Sequence, residues 1–117
     1  MSVIIRPATD NDIRIFAKDM KTPTVKAWVG EENGKVIAIG GLAFGGGRWV
    51  GFLDLTDDAR KYKYRIARMA IRVMDEAKRM GLRYVWADVD ENEPGAEKWQ
   101  RSLGFEKHGK FMRWKGE

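Results

Sequence analysis

From Ile66 onward, apolar side chains return at Met69, Ala70, Val73, Met74, Ala77 and Met80. That spacing is the period of an α-helix with one buried stripe. Basic side chains fall on the far side of the stripe, and Gly81 supplies a helix stop. Thr56-Asp57-Asp58 leads in, so the pattern predicts a long helix that begins near Arg60.

Before it the pattern is mostly that of strands. Val3 to Pro7 reads as a short strand closed by proline. Thr9-Asp10 then offers an N-cap for a helix with Ile13, Phe16, Ala17 and Met20 on one face, ended by Pro23. Val25 to Gly30 and Lys35 to Phe44 are rich in β-branched and apolar residues, with the hairpin signal Asn33-Gly34 between them. A second hairpin turns through Gly45-Gly46-Gly47 into a strand over Trp49–Leu55. After the long helix, Tyr84 to Val89 alternates as a strand. Pro94 starts a last helix carrying Ala96, Trp99 and Leu103, Gly104 caps it, and Phe105 to Trp114 closes the chain as a strand or hairpin. The expected order is β-α-β-β-β-α-β-α-β in one domain over residues 1–117, an α/β (α+β) fold. Its sheet is expected to be mixed and mostly antiparallel, with helices on both faces.

Composition narrows the picture. At 117 residues, 44% hydrophobic and 33% charged, the chain has the make-up of an ordinary globular protein. No apolar run approaches the ~20 residues that a bilayer span requires, and the opening stretch is too short for a signal peptide core. The absence of cysteine excludes disulfides, thiolate metal sites and a cysteine nucleophile, and a single histidine, His108, excludes a histidine metal cluster. A cytoplasmic protein with no metal and no membrane partner is expected.

Charge adds direction. The net charge is +5, and Arg60, Lys61, Lys63, Arg65, Arg68 and Arg72 share one short window with no acid between them. A strand that runs into a helix start leaves unpaired backbone N–H groups and the positive end of the helix dipole at one place. Ringed by these cations, that place suits a pyrophosphate or nucleotide phosphate. A solvated helix face is the plainer account of the same residues.

The chain resembles the GNAT superfamily of N-acetyltransferases over nearly its whole length. Ile5-Arg6-Pro7-Ala8-Thr9 through Asp12-Ile13 is similar to the usual first strand and helix of that family. Arg65-Ile66-Ala67 through Met80-Gly81 resembles the helix that follows the acetyl-CoA pyrophosphate loop, and Asn92 through Leu103-Gly104-Phe105 resembles the closing segment. The resemblance implies acetyl-CoA as co-substrate and an amine as acceptor. It implies pantetheine between the strands Trp49–Leu55 and Tyr84–Val89, against the backbone of Leu55, Thr56 and Asp57. It places the pyrophosphate at the helix start, with Arg60, Lys63, Tyr64, Arg65, Ile66, Ala67 and Arg68 around it and Asn92 in the closing segment.

Two positions depart from the family pattern. Its loop, R/Q-x-x-G-x-G/A, falls on Tyr62-Lys63-Tyr64-Arg65-Ile66-Ala67, so Arg65 replaces the first glycine and only Ala67 conforms. An arginine there either swings outward to meet the phosphate or narrows the site. The tyrosine that commonly protonates the leaving thiolate falls on Gln100, which cannot act as an acid. For direct attack the first candidate base is Asp54, followed by Asp88 and Asp90, each of which also reads as a solvated or capping aspartate.

The first half of the chain is short, with only Lys21 to Thr24 between its helix and the next strand. The acceptor side should be open, suiting a protein side chain or a pocket completed by a second subunit in a homodimer. Compact GNAT-like proteins of bacteriophages look similar in this respect. Three readings stand side by side: an acetyl-CoA-dependent N-acetyltransferase, a GNAT-fold binding or structural module without turnover, and, ranked last, a nucleic-acid binder.

Overall fold

The computed structural model describes residues 3–16, 24–88 and 95–116. Its elements run β1 (Ile4–Pro7), α1 (Asp10–Phe16), β2 (Thr24–Glu32), β3 (Lys35–Gly45), β4 (Arg48–Leu55), a 3-10 turn (Asp57–Tyr62), α2 (Lys63–Arg79), β5 (Tyr84–Asp88), α3 (Ala96–Ser102), β6 (Phe105–His108) and β7 (Phe111–Lys115). The strands form one mixed sheet in the order β1-β2-β3-β4-β5-β7-β6, antiparallel at every junction except β4 with β5.

The closing segment from Phe105, expected as a strand or hairpin, is a hairpin of two strands, with Gly109 in the left-handed region at the turn (φ 66°). One expectation needs correction. The long helix begins at Lys63 rather than near Arg60, because residues 57–62 coil more tightly first. Ala17, Met20, Pro23, Val89, Asp90, Asn92 and Pro94, named above, lie outside the described residues.

Local chemistry fixes the ends of the elements. Asp12 N–H donates to Thr9 Oγ1 at 3.2 Å and Thr9 N–H donates to Asp12 Oδ2 at 2.8 Å, a reciprocal cap that starts α1. Arg6 joins this cap to β2, donating to Asp12 Oδ2 and to Glu31 Oε2, each at 2.8 Å. The Arg6 hydrogen bond, followed by the Thr9 amide, holds the Asp12 carboxyl down at about 2. At the other end of α2, Gly81 N–H reaches Lys78 O and Leu82 N–H reaches Ala77 O, with Gly81 at φ 71°. This is a Schellman stop, and it demands a residue that tolerates positive φ.

The buried stripe of α2 packs on one face of the sheet. Ile66 and Met69 meet Val3, Ile37, Ala38 and Ala59, while Val73, Met74 and Ala77 meet Leu42, Val85, Ala87, Met112 and Trp114. The register of β2 with β3 slips at Gly30/Glu31, leaving Ile37 as an extra residue. Such a bulge lets Ile37 and its neighbour Ala38 both turn toward α2, which strict alternation would forbid. Beside it the two backbones run so close that a Cβ on Gly41 would collide with the Lys26 carbonyl.

Candidate functional site

Across β3 and β4 the ladder is continuous, from Ala38 with Leu55 to Gly45 with Arg48, and β5 is paired with β7 along its whole length. Between β4 and β5 the ladder pairs Val50 with Trp86 alone among the described residues. In this register Leu53 to Leu55 stand opposite positions beyond Asp88, which lie outside the described residues. Arg48 stacks over the Trp86 ring at 4.4 Å beside this pairing.

The direction of the free backbone follows from the ladder. Thr56 donates its N–H (2.9 Å) and its hydroxyl (3.1 Å) to Ile37 O. Alternate residues of an antiparallel pair point their N–H and C=O groups to opposite sides. Leu53 and Leu55 therefore direct theirs away from β3, to the β5 side. Of the expected Leu55-Thr56-Asp57 backbone, Leu55 faces the β5 side and Thr56 faces β3.

At the same end of the sheet the chain makes the 3-10 turn, anchored by the fully buried Ala59. The Tyr62 hydroxyl donates to Glu32 on β2 and fixes the point where α2 begins. Tyr62 occupies the N-cap position without a side-chain cap, and the first turn carries no acid. The amides of Lys63, Tyr64 and Arg65 thus open the helix without a side-chain cap, at the positive end of a helix running from Lys63 to Arg79.

The side chains of the basic window divide. Tyr64 is 89% exposed, whereas Ile66 is buried and contributes backbone only. Arg65 and Arg68, expected around the pyrophosphate, line a cavity with Arg72 and with Val3–Ile5 of β1. That cavity lies at the β1 edge of the sheet, with β2 and β3 between it and β4. Arg65 thus lines the cavity on the flank of α2 that faces β1. Ala67 is half-buried, Asp57 opens the 3-10 turn, and Arg60 lies within that turn.

Asp54 and Asp88 share a face. Val50 and Trp86 are partners, and Asp54 and Asp88 follow them at even spacing, so both carboxylates stand on the face opposite α2. Leu53 and Val85, one position out of phase, pack toward α2 instead. Both aspartates are exposed. Gln100 of α3 donates Nε2–H to Asp88 O at 2.9 Å, and its Oε1 is buried without a partner.

The far face also carries a cluster that the sequence did not bring forward. Trp86 receives His108 edge-on at 5.3 Å and Arg113 at 5.6 Å, and Arg113 lies over Tyr84 at 4.5 Å. The hairpin register, which pairs Trp86 with Arg113 and His108 with Phe111, is what assembles it. Among the described residues no group of His, Asp and Glu is placed to hold a metal ion, and no helix is long and apolar enough to cross a membrane.

No protein-family model and no curated protein matches the chain. Solved structures do. The ribosomal-protein-S18-alanine N-acetyltransferase of Escherichia coli superposes with a TM-score of 0.77 at 15% identity, covering 97% of this chain and 94% of that one. An N-acetyltransferase of Staphylococcus aureus Mu50 gives a TM-score of 0.77 at 18% identity, covering 98% and 99%. YhhK of E. coli, solved with coenzyme A bound, gives 0.58 at 13% identity, covering 99% and 100%. The chain has the fold of the GNAT N-acetyltransferases.

Proposed function

We propose that this protein is an acetyl-CoA-dependent N-acetyltransferase that acetylates an amine by direct attack. The observation that carries the reading is that parallel β4 and β5 share a single ladder pairing among the described residues, and we infer a gap past it, at the same sheet end as the helix start. Leu53 and Leu55 offer backbone hydrogen bonds to the pantetheine arm in that gap. The first-turn amides of α2 receive the pyrophosphate. Asn92 and Lys63 belong to the same proposed binding set.

The co-substrate supplies an activated thioester. The chain's own residues orient it and handle the proton. Asp54, with Asp88 beside the same gap, takes the proton that the amine loses as its nitrogen bonds the acetyl carbon and the carbon–sulfur bond breaks. Water protonates the departing thiolate, because Gln100 has no proton to give; its unpartnered Oε1 is an acceptor placed beside Asp88. The acceptor amine, on a small molecule or a protein side chain, comes from the exposed far face. The cytoplasm is the compartment this reading assigns.

A second reading, a GNAT-fold binding module without turnover, is favoured by Gln100 at the position of the family acid. Steady-state assays against amine panels separate the two. Thiol release that depends on acceptor and falls in Asp54→Asn supports the enzyme, whereas acetyl-CoA binding with no release under any acceptor supports the module.

A further inference from the structure

A cavity of about 440 Å³ is lined by Arg65, Arg68 and Arg72 on one side and by Val3, Ile4 and Ile5 on the other. The three arginines follow one another at i, i+3 and i+7 along one flank of α2, spanning about 10 Å of helix. Like charges at this spacing repel. Of the nearby acids, Glu76 is engaged by Lys26 and Arg79 and Glu31 by Arg6, while Asp75, three residues after Arg72, is exposed and forms no ion pair with it. Among the described residues, no carboxylate pairs with Arg65, Arg68 or Arg72.

The three arginines are exposed, so solvent screens their mutual repulsion, and an anion in the cavity would gain paired hydrogen bonds from them. Two features define which anion. Guanidinium forks match the oxygens of phosphates in paired hydrogen bonds, and three in a row along a helix match phosphates joined in a chain. The opposite wall is apolar, with Val3 buried, Ile5 half-buried and Ile4 61% exposed.

An added peptide strand is the weaker occupant. The Ala8 N–H bond to Ala27 O fixes the alternation of β1, so that only Val3 and Ile5 turn both backbone groups outward. Pro7 has no N–H, and its carbonyl already accepts from Arg6. We propose that this cavity is a second anion site, separate from the β4–β5 gap, that binds a compact oligophosphate such as a nucleoside triphosphate. The arginines hold the phosphates, and the Val3–Ile5 wall meets the apolar face of the base. The site shares Arg65 with the first turn of α2 but draws on its side chain rather than its amide, and it involves neither the gap nor the aspartates beside it.

Inorganic tripolyphosphate and ATP, titrated separately into the whole protein by calorimetry, test this. One saturable site is expected for each, with an upward shift in the thermal midpoint. Affinity should fall by about tenfold or more in Arg68→Glu/Arg72→Glu and stay within about twofold of the native value in Lys98→Glu, an equal type of charge change on α3. Acetyl-CoA at saturation should leave tripolyphosphate binding unchanged. Absence of saturable tripolyphosphate binding overturns the proposal. So does an equal loss in Lys98→Glu, which would mean general attraction to a basic protein, and so does displacement by acetyl-CoA, which would make the triad part of the co-substrate's own site. Failure of acetyl-CoA to bind would sink the transferase reading and leave the tripolyphosphate result standing.

Discussion

Arg65 shows how much one side chain's direction decides. In sequence it stands where close backbone approach to phosphate would call for glycine, and in the structure it leans to the flank, toward Val3–Ile5. Asp54 and Asp88 are legible as acids at strand ends, but the strand pairing at Val50 and Trp86 is what puts them on one face. Asp54→Asn should lower kcat by about 100-fold with little change in acetyl-CoA affinity, measured by thiol release and by calorimetry. Gln100→Ala should change kcat by less than about threefold, because the residue neither gives nor takes a proton. The reverse ranking would move the proton acceptor away from β4.

Elements differ in how far the chain announces them. The period of α2 and its stop at Gly81 were readable because both depend on residues near in sequence. The Asn33-Gly34 turn was readable for the same reason, with both residues at positive φ (51° and 81°). The 3-10 turn was not, since it depends on Ala59 being buried and on Tyr62 meeting Glu32 from a distant strand. The bulge at Ile37 and the close approach at Gly41 also arise only when strands meet. Gly41→Ala should destabilise the fold by about 3 kcal/mol, because the Lys26 carbonyl and Ala27 backbone leave no space for a methyl group. A urea titration that finds the variant within about 0.5 kcal/mol of the native protein would show that β2 can give way there.

At the scale of the whole molecule, ion pairs tie the edges of the fold together and set its acid response. Arg6 holds Asp12 at about 2, and Arg79, followed by Lys26, holds Glu76 at about 2, against ordinary values of 3.8 and 4.5. Both native carboxyls sit below their unfolded values. Their contribution is therefore complete near neutral pH and is lost as the pH falls from about 5 through about 2. Urea midpoints should drop over that range, and Asp12→Asn should lose about 1–2 kcal/mol near neutral pH and flatten the acid limb. The overall order of strands and helices was legible in the sequence, whereas the register that sets Val50 opposite Trp86 was not, because hydrophobic alternation carries no mark of how two distant strands align.

The most direct test of the central claim is calorimetric titration of the protein with acetyl-CoA, paired with the variant Leu55→Pro, which removes an amide facing the β5 side. The account predicts saturable binding of one equivalent in the micromolar range, weakened by about tenfold in the variant while its fold is retained. No heat up to about 1 mM, or equal affinity in a folded Leu55→Pro protein, would contradict it.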